Sequence, residues 1–420
     1  MTRVDTLVNG PAARGRTVLI SGASIAGPAL AYWLNRHGFA VTVVEKAGTI
    51  RDGGYPIDVR GTALDVVRRM GILPRLRDAH IDLRRLTFLD EDGSEVASVD
   101  PHAVTGGVAG RDLEVRRGAL AGALHEAVRD DVEFLFDDSI DILHQHRHGV
   151  DVTFRGGGRR TFDLVVGADG LHSHTRRLQF GPEELFHRYL GYCFAGFTLR
   201  NTFGLVRETV MWNAPGRAAV LYAVGDGDGD GDGDGDGDGD GDVHGFLNFA
   251  RPEPPFDAFR DPEAQRDLVA EVFDGAGWEV PGMLAALRDA DDLFFDVVSQ
   301  IRMPRWSSGR VALVGDAAYA PSFLTGQGSS LALAGAYMLA ASLAAERDHA
   351  AGFAAYERDT RAFVTLNQDQ VGEGEAALFP ATAPALEQRN AMLRGLGSMP
   401  PAEGRPAHAA LVLPEFRPPV

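Results

Sequence analysis

Apolar residues recur along this chain in two rhythms. In the first third, short apolar runs alternate with stretches whose apolar positions return every three or four residues, the alternation of strand and helix. Thr17 to Ser21 reads as a strand, Pro28 to His37 as a helix stopped by Gly38, and Ala40 to Val44 as a second strand. A glycine-marked turn from Gly53 enters a short strand near Arg60, and Thr62 to Met70 predicts a helix closed by Gly71. Strands run from Arg85 to Val99 across the turn Glu91-Asp92-Gly93, and the segment from Glu114 leads into a helix ending near Arg129. Further strands are expected at Val132–Phe136, Ile140–His144 and Gly149–Phe154, with a buried one at Thr161–Val166.

From about Leu185 to Gln300 the rhythm changes to aromatic-rich, strand-like runs: Tyr189–Leu199, Thr209–Asn213, Ala218–Val224 and Gly245–Ala250. These predict a mainly antiparallel sheet, one face of which floors a pocket with Tyr192, Phe194, Trp212, Tyr222 or Phe249. Helices follow at Pro262–Phe273 and Pro281–Ala290, then a returning strand from Phe294 to Met303. Val311 to Val314 is a buried strand, a long Ala/Leu helix begins near Ser329, and Gly352–Gln370 is helical. The fold class is therefore α/β, a Rossmann-like βαβ domain joined to a second domain built on the antiparallel sheet. The expected boundaries are a flexible tail at 1–15, a discontinuous first domain at 16–184 and 295–365, and a second domain at 185–294. Residues 80–110 contribute to the second domain, and 366–420 form a helical or irregular tail.

At 420 residues the chain suits two lobes. Its net charge of -18 argues against nucleic acid and anionic membrane as partners, although nine of the acids lie in the Gly-Asp repeat from Asp226 to Asp242. That repeat has nothing apolar to bury and is expected to be a disordered loop. A single cysteine, Cys193, excludes an intrachain disulfide. No signal-peptide core or long apolar span is evident, which favours a cytoplasmic setting. His144, His146 and His148 share one strand face, but the expectation is an exposed hairpin and no metal site.

The candidate chemistry lies in glycine turns. Between the first two strands stands Gly22-Ala23-Ser24-Ile25-Ala26-Gly27, and Glu45-Lys46 closes the second strand 18 residues beyond Gly27. This is the order of a dinucleotide-binding unit: Gly22 allows the turn, Gly27 lets helix and strand approach, and the helix start holds a pyrophosphate. Glu45 would accept hydrogen bonds from ribose hydroxyls, while Ser24 replaces the middle glycine of G-x-G-x-x-G. A second set runs from Gly315-Asp316 through Pro321 to Gly326-Gln327-Gly328-Ser329, where a helix start offers unpaired N–H groups to a ring that becomes negative on reduction. Between the two sets lie Arg116-Arg117 and Gly167-Ala168-Asp169-Gly170.

The order and spacing of these motifs over residues 16 to 345 resemble the FAD-dependent aromatic hydroxylases, the single-component flavoprotein monooxygenases that include para-hydroxybenzoate hydroxylase. The resemblance implies that Gly22, Ser24, Ile25, Ala26, Gly27, Glu45 and Lys46 hold the ADP half of FAD. It implies that Arg117, or Arg116 beside it, contacts the cofactor, and that Asp169 serves FAD and NAD(P)H. Gly315 and Asp316 would take the ribityl chain, and Pro321, Gly326, Gln327, Gly328 and Ser329 would border the isoalloxazine. Gly335 stands where many relatives carry an acid, and the segment from Gly53 to Gly61 is similar to that of tetracycline-inactivating members.

The activity so implied is hydroxylation of an aromatic or polyketide-like small molecule by O₂, with NAD(P)H as reductant, through a flavin C4a-hydroperoxide. Residues 16–184 and 295–365 then form the FAD domain and 185–294 the substrate domain, with no base singled out among Tyr192, Tyr222 and His187. The same scaffold also serves double-bond reductases and halogenases, whose W-x-W-x-I-P motif is missing. A third reading is a protein that holds FAD or a ligand without turnover.

Overall fold

The apolar strand Thr17–Ser21 lies at the middle of a six-stranded sheet ordered Ser307–Ser308, Val311–Leu313, Leu164–Gly167, Thr17–Ser21, Ala40–Val44, Glu133–Leu135. All neighbours are parallel except the first pair. The computed structural model describes residues 15–50, 53–224, 241–396 and 404–416; most of the expected N-terminal tail and Gly-Asp loop lie outside the described residues.

A parallel sheet needs cover on both faces. Strand alternation sends Val18, Ile20, Val43 and Val166 toward the helices Ala26–Arg36 and Gly328–Ala345, and Leu19, Val44, Val165 and Val311 toward the opposite side. There the three-stranded sheet Ile140–His146, Gly149–Phe154 and Arg159–Phe162 supplies Ile140, Val150, Val152 and Phe154. Gly328–Ala345 is apolar around its whole circumference because helices Ala26–Arg36, Thr62–Arg69 and His349–Gln368 enclose it. Among the described residues it is the one helix long and apolar enough to cross a membrane, and it lies inside the protein.

The expected strand Thr161–Val166 is instead two strands in different sheets, broken at Asp163. The Asp163 carboxylate accepts the Thr17 N–H at 2.7 Å and the Thr17 hydroxyl at 3.0 Å, which pins the bend to the start of the neighbouring strand.

The second sheet has seven strands ordered Phe294–Ile301, His187–Arg200, Asp242–Ala250, Arg217–Ala223, Glu208–Ala214, Arg85–Leu89, Glu95–Val99. It is antiparallel except where Glu208–Ala214 runs parallel to Arg85–Leu89, a strand from far earlier in the chain. Its outer face (Cys193, Phe197, Trp212, Leu247, Phe249) packs on helices Pro262–Val272 and Val280–Asp289. Trp212 and Phe249, expected in the pocket floor, therefore face the wrong way; period-two alternation says which residues share a face, not what that face meets. Tyr192, Phe194, Met211, Tyr222 and Phe246 occupy the inner face.

Helices Val371–Leu378 and Ala383–Leu396 cover part of that inner face. Tyr192 Oη donates to Glu375 at 2.9 Å, Asn213 Nδ2 donates to Leu378 O at 3.1 Å, and buried Arg389 donates through both Nη atoms to Asn213 Oδ1 at 3.0 Å. The chain beyond 404 returns to the first lobe, where Leu411 O accepts the Thr62 hydroxyl at 3.0 Å and Pro414 O accepts from Arg69 at 2.7 Å.

Candidate active site

Gly22 leaves the first strand at φ +105°, and a Cβ there would stand 2.5 Å from Ala168 O; one on Gly27 would stand 1.9 Å from Gly22 O. No side chain fits at either position, so the turn and helix close onto the strand ends as the spacing predicts. The helix Ala26–Arg36 begins at Ile25 without a side-chain cap, leaving its first N–H groups to whatever lies before it. Glu45 reaches this turn: its carboxylate accepts the Ala23 N–H at 2.8 Å and the Ala47 N–H at 3.0 Å. Lys46 is exposed beside it.

Ser24 is held by Arg117, whose Nη2 donates to its Oγ at 2.9 Å. Of the two arginines, Arg117 thus reaches the glycine turn, while Arg116 stands opposite Pro56 in a two-stranded ladder. Arg117 also lies near Asp316, whose carboxyl is raised above its ordinary range by burial and drawn back by the Arg117 charge. Asp316 is nonetheless exposed.

Gly315 seats that aspartate: at φ +63° its missing Cβ would lie 2.9 Å from Ala26 Cβ, so the second glycine set docks directly on the first. A Cβ on Gly328 would lie 3.9 Å from Asp316 Oδ1. Glu45 and Ser24 at the glycine turn, then Arg117 and Asp316, then the start of helix Gly328–Ala345 accordingly succeed one another along one path. That helix too has no side-chain cap.

Pro321 and the loop after it are braced from behind. Buried Gln300 Nε2 donates to Pro321 O at 2.9 Å, and Gln368 Nε2 donates to Ile301 O and Tyr319 O at 2.9 and 3.1 Å. Ser322 takes φ 77°, ψ 148°, a region almost reserved for glycine. Gly326 follows at φ +62°; Gln327 is fully buried with Oε1 unpartnered among the described residues, and Ser329 is buried.

Asp169 is engaged within its own loop. Its carboxylate accepts from the Ser173 hydroxyl, from Thr175 N at 2.9 Å and from Thr175 Oγ1 at 2.9 Å, so it fixes the start of helix His174–Phe180. Its backbone packs on the glycine turn, with Cα 3.0 Å from the missing Cβ of Gly22. The sequence also missed Tyr55, Asp58 and Arg60. Tyr55 lies near Arg117, Asp316 and Asp296, and Arg60 Nη2 pairs with Asp58 Oδ1 at 2.5 Å. The polar residues inside the glycine-marked segment from Gly53 were the available signal. The histidine hairpin does meet a carboxylate, Asp151, 3.4 Å from His146 Nε2, yet among the described residues no group of three ligands could hold a metal ion.

These features fit FAD: two uncapped helix starts for its anionic parts, glycines where backbone must approach a flat ring, and a carboxylate between them for hydroxyls. The family model described as FAD binding domain matches residues 16–183 and 295–371. A flavin-dependent monooxygenase from an unknown prokaryotic organism is 36% identical over 405 residues, covering 96% of this chain and 99% of its own. An uncharacterised protein of Mycobacterium tuberculosis is 43% identical over 371 residues, 88% of this chain and 95% of its own. The crystal structure of tetracycline destructase Tet(55) superposes with a TM-score of 0.79 at 35% identity, covering 96% of this chain and 99% of that one. Motif geometry and likeness agree, and the chain belongs to the FAD-dependent aromatic hydroxylase-like family of flavoprotein monooxygenases.

Proposed function

We propose that the chain binds FAD in a cleft along this path and uses NAD(P)H and O₂ to hydroxylate an aromatic or polyketide-like small molecule. The observation that carries the reading is the continuous path Ser24–Arg117–Asp316–Gly328, which joins the glycine turn to the second helix start. In this reading the six-stranded sheet is the Rossmann-like cofactor domain and the inner face of the seven-stranded sheet is the substrate side.

Gly22, Gly27 and the first N–H groups of helix Ala26–Arg36 hold the pyrophosphate, and Glu45 takes the adenosine ribose. Asp316 accepts from ribityl hydroxyls, with the Arg117 charge favouring its ionised form against burial. Backbone N–H groups from Gly326 to Ser329 stabilise negative charge at the ring edge, and Pro321, fixed by Gln300, shapes the space where oxygen reacts. FAD, when bound and reduced by NAD(P)H, supplies activation of O₂ and transfer of one oxygen atom. The protein contributes position, water exclusion and charge.

Purified protein that carries flavin absorbance, oxidises NAD(P)H faster with substrate, and places heavy oxygen from labelled O₂ in the product meets this reading. Unlabelled product would remove the oxygenase step. The likeness to a tetracycline destructase makes tetracycline-type polyketides the first class to screen, followed by simple phenols.

A further inference from the structure

Asp58 and Glu114 stand directly opposite one another on the antiparallel strands Pro56–Val59 and Leu113–Arg116. Like charges in that register repel. The flanking Val59, Leu113 and Val115 are buried, while Asp58 and Glu114 are each only partly buried. Arg60 compensates Asp58 directly, by its 2.5 Å pair, and is itself anchored by donating to Thr105 O at 2.8 Å. Among the described residues Glu114 has no such bonded cation; burial first and the Asp58 charge second raise it to about 7.

The couple sits at the ring end of the cleft, because a Cβ on Gly326 would lie 2.9 Å from Asp58 Oδ2. From the seven-stranded sheet Tyr222 brings its hydroxyl against Glu114, and this buried Oη has no well-formed hydrogen bond to any described residue. The remaining charged or titratable groups facing the cluster are Asp112, His102 on the helix Pro101–Thr105, and His244 paired with Tyr222 across the sheet. A ring-end wall of acceptors, one of them poised to take a proton, calls for a ligand that brings a donor.

We propose that Glu114 accepts the proton of a phenolic or enolic substrate hydroxyl, with Tyr222 as that oxygen's second contact. The assignment rests on the monooxygenase reading above. The substrate O–H bond breaks, its electron pair stays on oxygen, and the proton forms a new O–H bond on the Glu114 carboxylate. The resulting oxyanion enriches the carbons conjugated to it, where oxygen is delivered. The same wall disfavours a substrate carboxylate at this end, which would face Asp58.

The test uses FAD-loaded enzyme with para-substituted phenols of graded acidity, from 4-methylphenol to 4-nitrophenol, scored by stimulated NAD(P)H oxidation. Wild-type kcat/KM is expected to fall as pH drops through about 7. Glu114→Gln, nearly the same shape, should lose that limb and about a hundredfold in rate on 4-methylphenol, with the loss shrinking toward 4-nitrophenol, which ionises unaided. Tyr222→Phe should keep the limb and raise KM. Infrared difference spectra with ¹³C-labelled glutamate should show a protonated carboxyl appearing in wild type as pH drops through about 7, and not in Glu114→Gln. An equal loss on every phenol, a retained acid limb, or no new carboxyl band in wild type overturns the proposal. So does a flavin-bearing enzyme that no phenol stimulates, which leaves the cofactor assignment standing; a protein that cannot be loaded with FAD removes the reading beneath.

Discussion

The Tyr319 hydroxyl occupies the place where Gly335 would carry a side chain: a Cβ there would lie 1.9 Å from Tyr319 Oη. Tyr319 belongs to the short helix Asp316–Tyr319 that holds the candidate flavin carboxylate, and Gly335 to the buried helix Gly328–Ala345. The contact therefore sets the spacing between the two elements that would border the flavin ring in the proposed reading. It also leaves no room at position 335 for a side chain, an acid included. Tyr319 Oη is fixed in turn by Tyr356 Oη at 2.9 Å.

Gly335→Ala is expected to destabilise the FAD-loaded protein by about 1–3 kcal/mol through overpacking. Tyr319→Phe alone should lose about 1 kcal/mol for its hydrogen bond. The double variant should lose less than the two together, because the hydroxyl that clashes is gone. Urea midpoints measure all three, and strictly additive losses would show that the two residues do not meet.

The ordering of strands, glycine turns and helices was legible from periodicity, and the path from Glu45 to Gly328 follows from turn chemistry that any reader of the sequence can apply. Three things were hidden, each for a physical reason. Trp212 and Phe249 carry the right period, but the helices that claim their face lie beyond Asp261 and leave no mark on the strand itself. Asp169 looks like a ligand residue, yet Ser173 and Thr175, four and six positions on, satisfy its carboxylate locally. Asp58 and Glu114 become a couple only because the fold pairs two strands more than fifty residues apart in sequence.

Ser322 sits beside Pro321 in a backbone region that costs a non-glycine residue about 1–3 kcal/mol. Its Oγ accepts the Leu324 N–H at 3.4 Å and its carbonyl accepts the Thr325 hydroxyl at 3.1 Å, so the strained residue also organises the loop. Ser322→Gly should raise the melting temperature while loosening the ring-end loop. The functional cost is expected as poorer coupling, a larger share of NAD(P)H oxidised without hydroxylated product. Simultaneous measurement of cofactor consumed and product formed checks it; improved stability with unchanged coupling would show that the strain has no role.

His172 joins the turn after Gly170 to the seven-stranded sheet. Its Nδ1 lies 2.7 Å from Glu183 Oε1 and its Nε2 3.2 Å from Asp296 Oδ2. The hydrogen bonds to Asp296 and then Glu183 raise its pKa from 6.5 to about 10. Because the folded value is the higher one, the protonated ring contributes stability that is fully present below about pH 6.5 and is lost as pH rises through about 10. The side chain is 53% exposed, so solvent screens the effect and a shallow slope is expected. Melting curves of wild type and His172→Gln should converge at the alkaline end of that window and separate below it; parallel curves at every pH would remove the ion pairs from the account.

Gly328 separates a requirement of the cofactor from a requirement of the fold. It is the first residue of its helix, its φ is not in the left-handed region, and the nearest atom to a Cβ there is Asp316 Oδ1 at an unstrained 3.9 Å. Gly328→Ala should therefore fold normally, and the apoprotein should gain up to about 1 kcal/mol because alanine favours helix and restricts the unfolded chain. FAD retention should weaken, since the methyl group projects into the space beside Asp316 where the ribityl chain and ring would pass. Asp316→Ala tests the same place from the other side: losing a hydrogen bond to a charged acceptor should cost about 1.5–3 kcal/mol of FAD binding, roughly ten- to a hundredfold in Kd. Equilibrium titration of each apoprotein with FAD, beside its unfolding curve, reads both effects. A Gly328→Ala variant that binds FAD as tightly as wild type would mean that the ring does not approach the start of this helix, and the cleft would have to hold its ligand in another orientation.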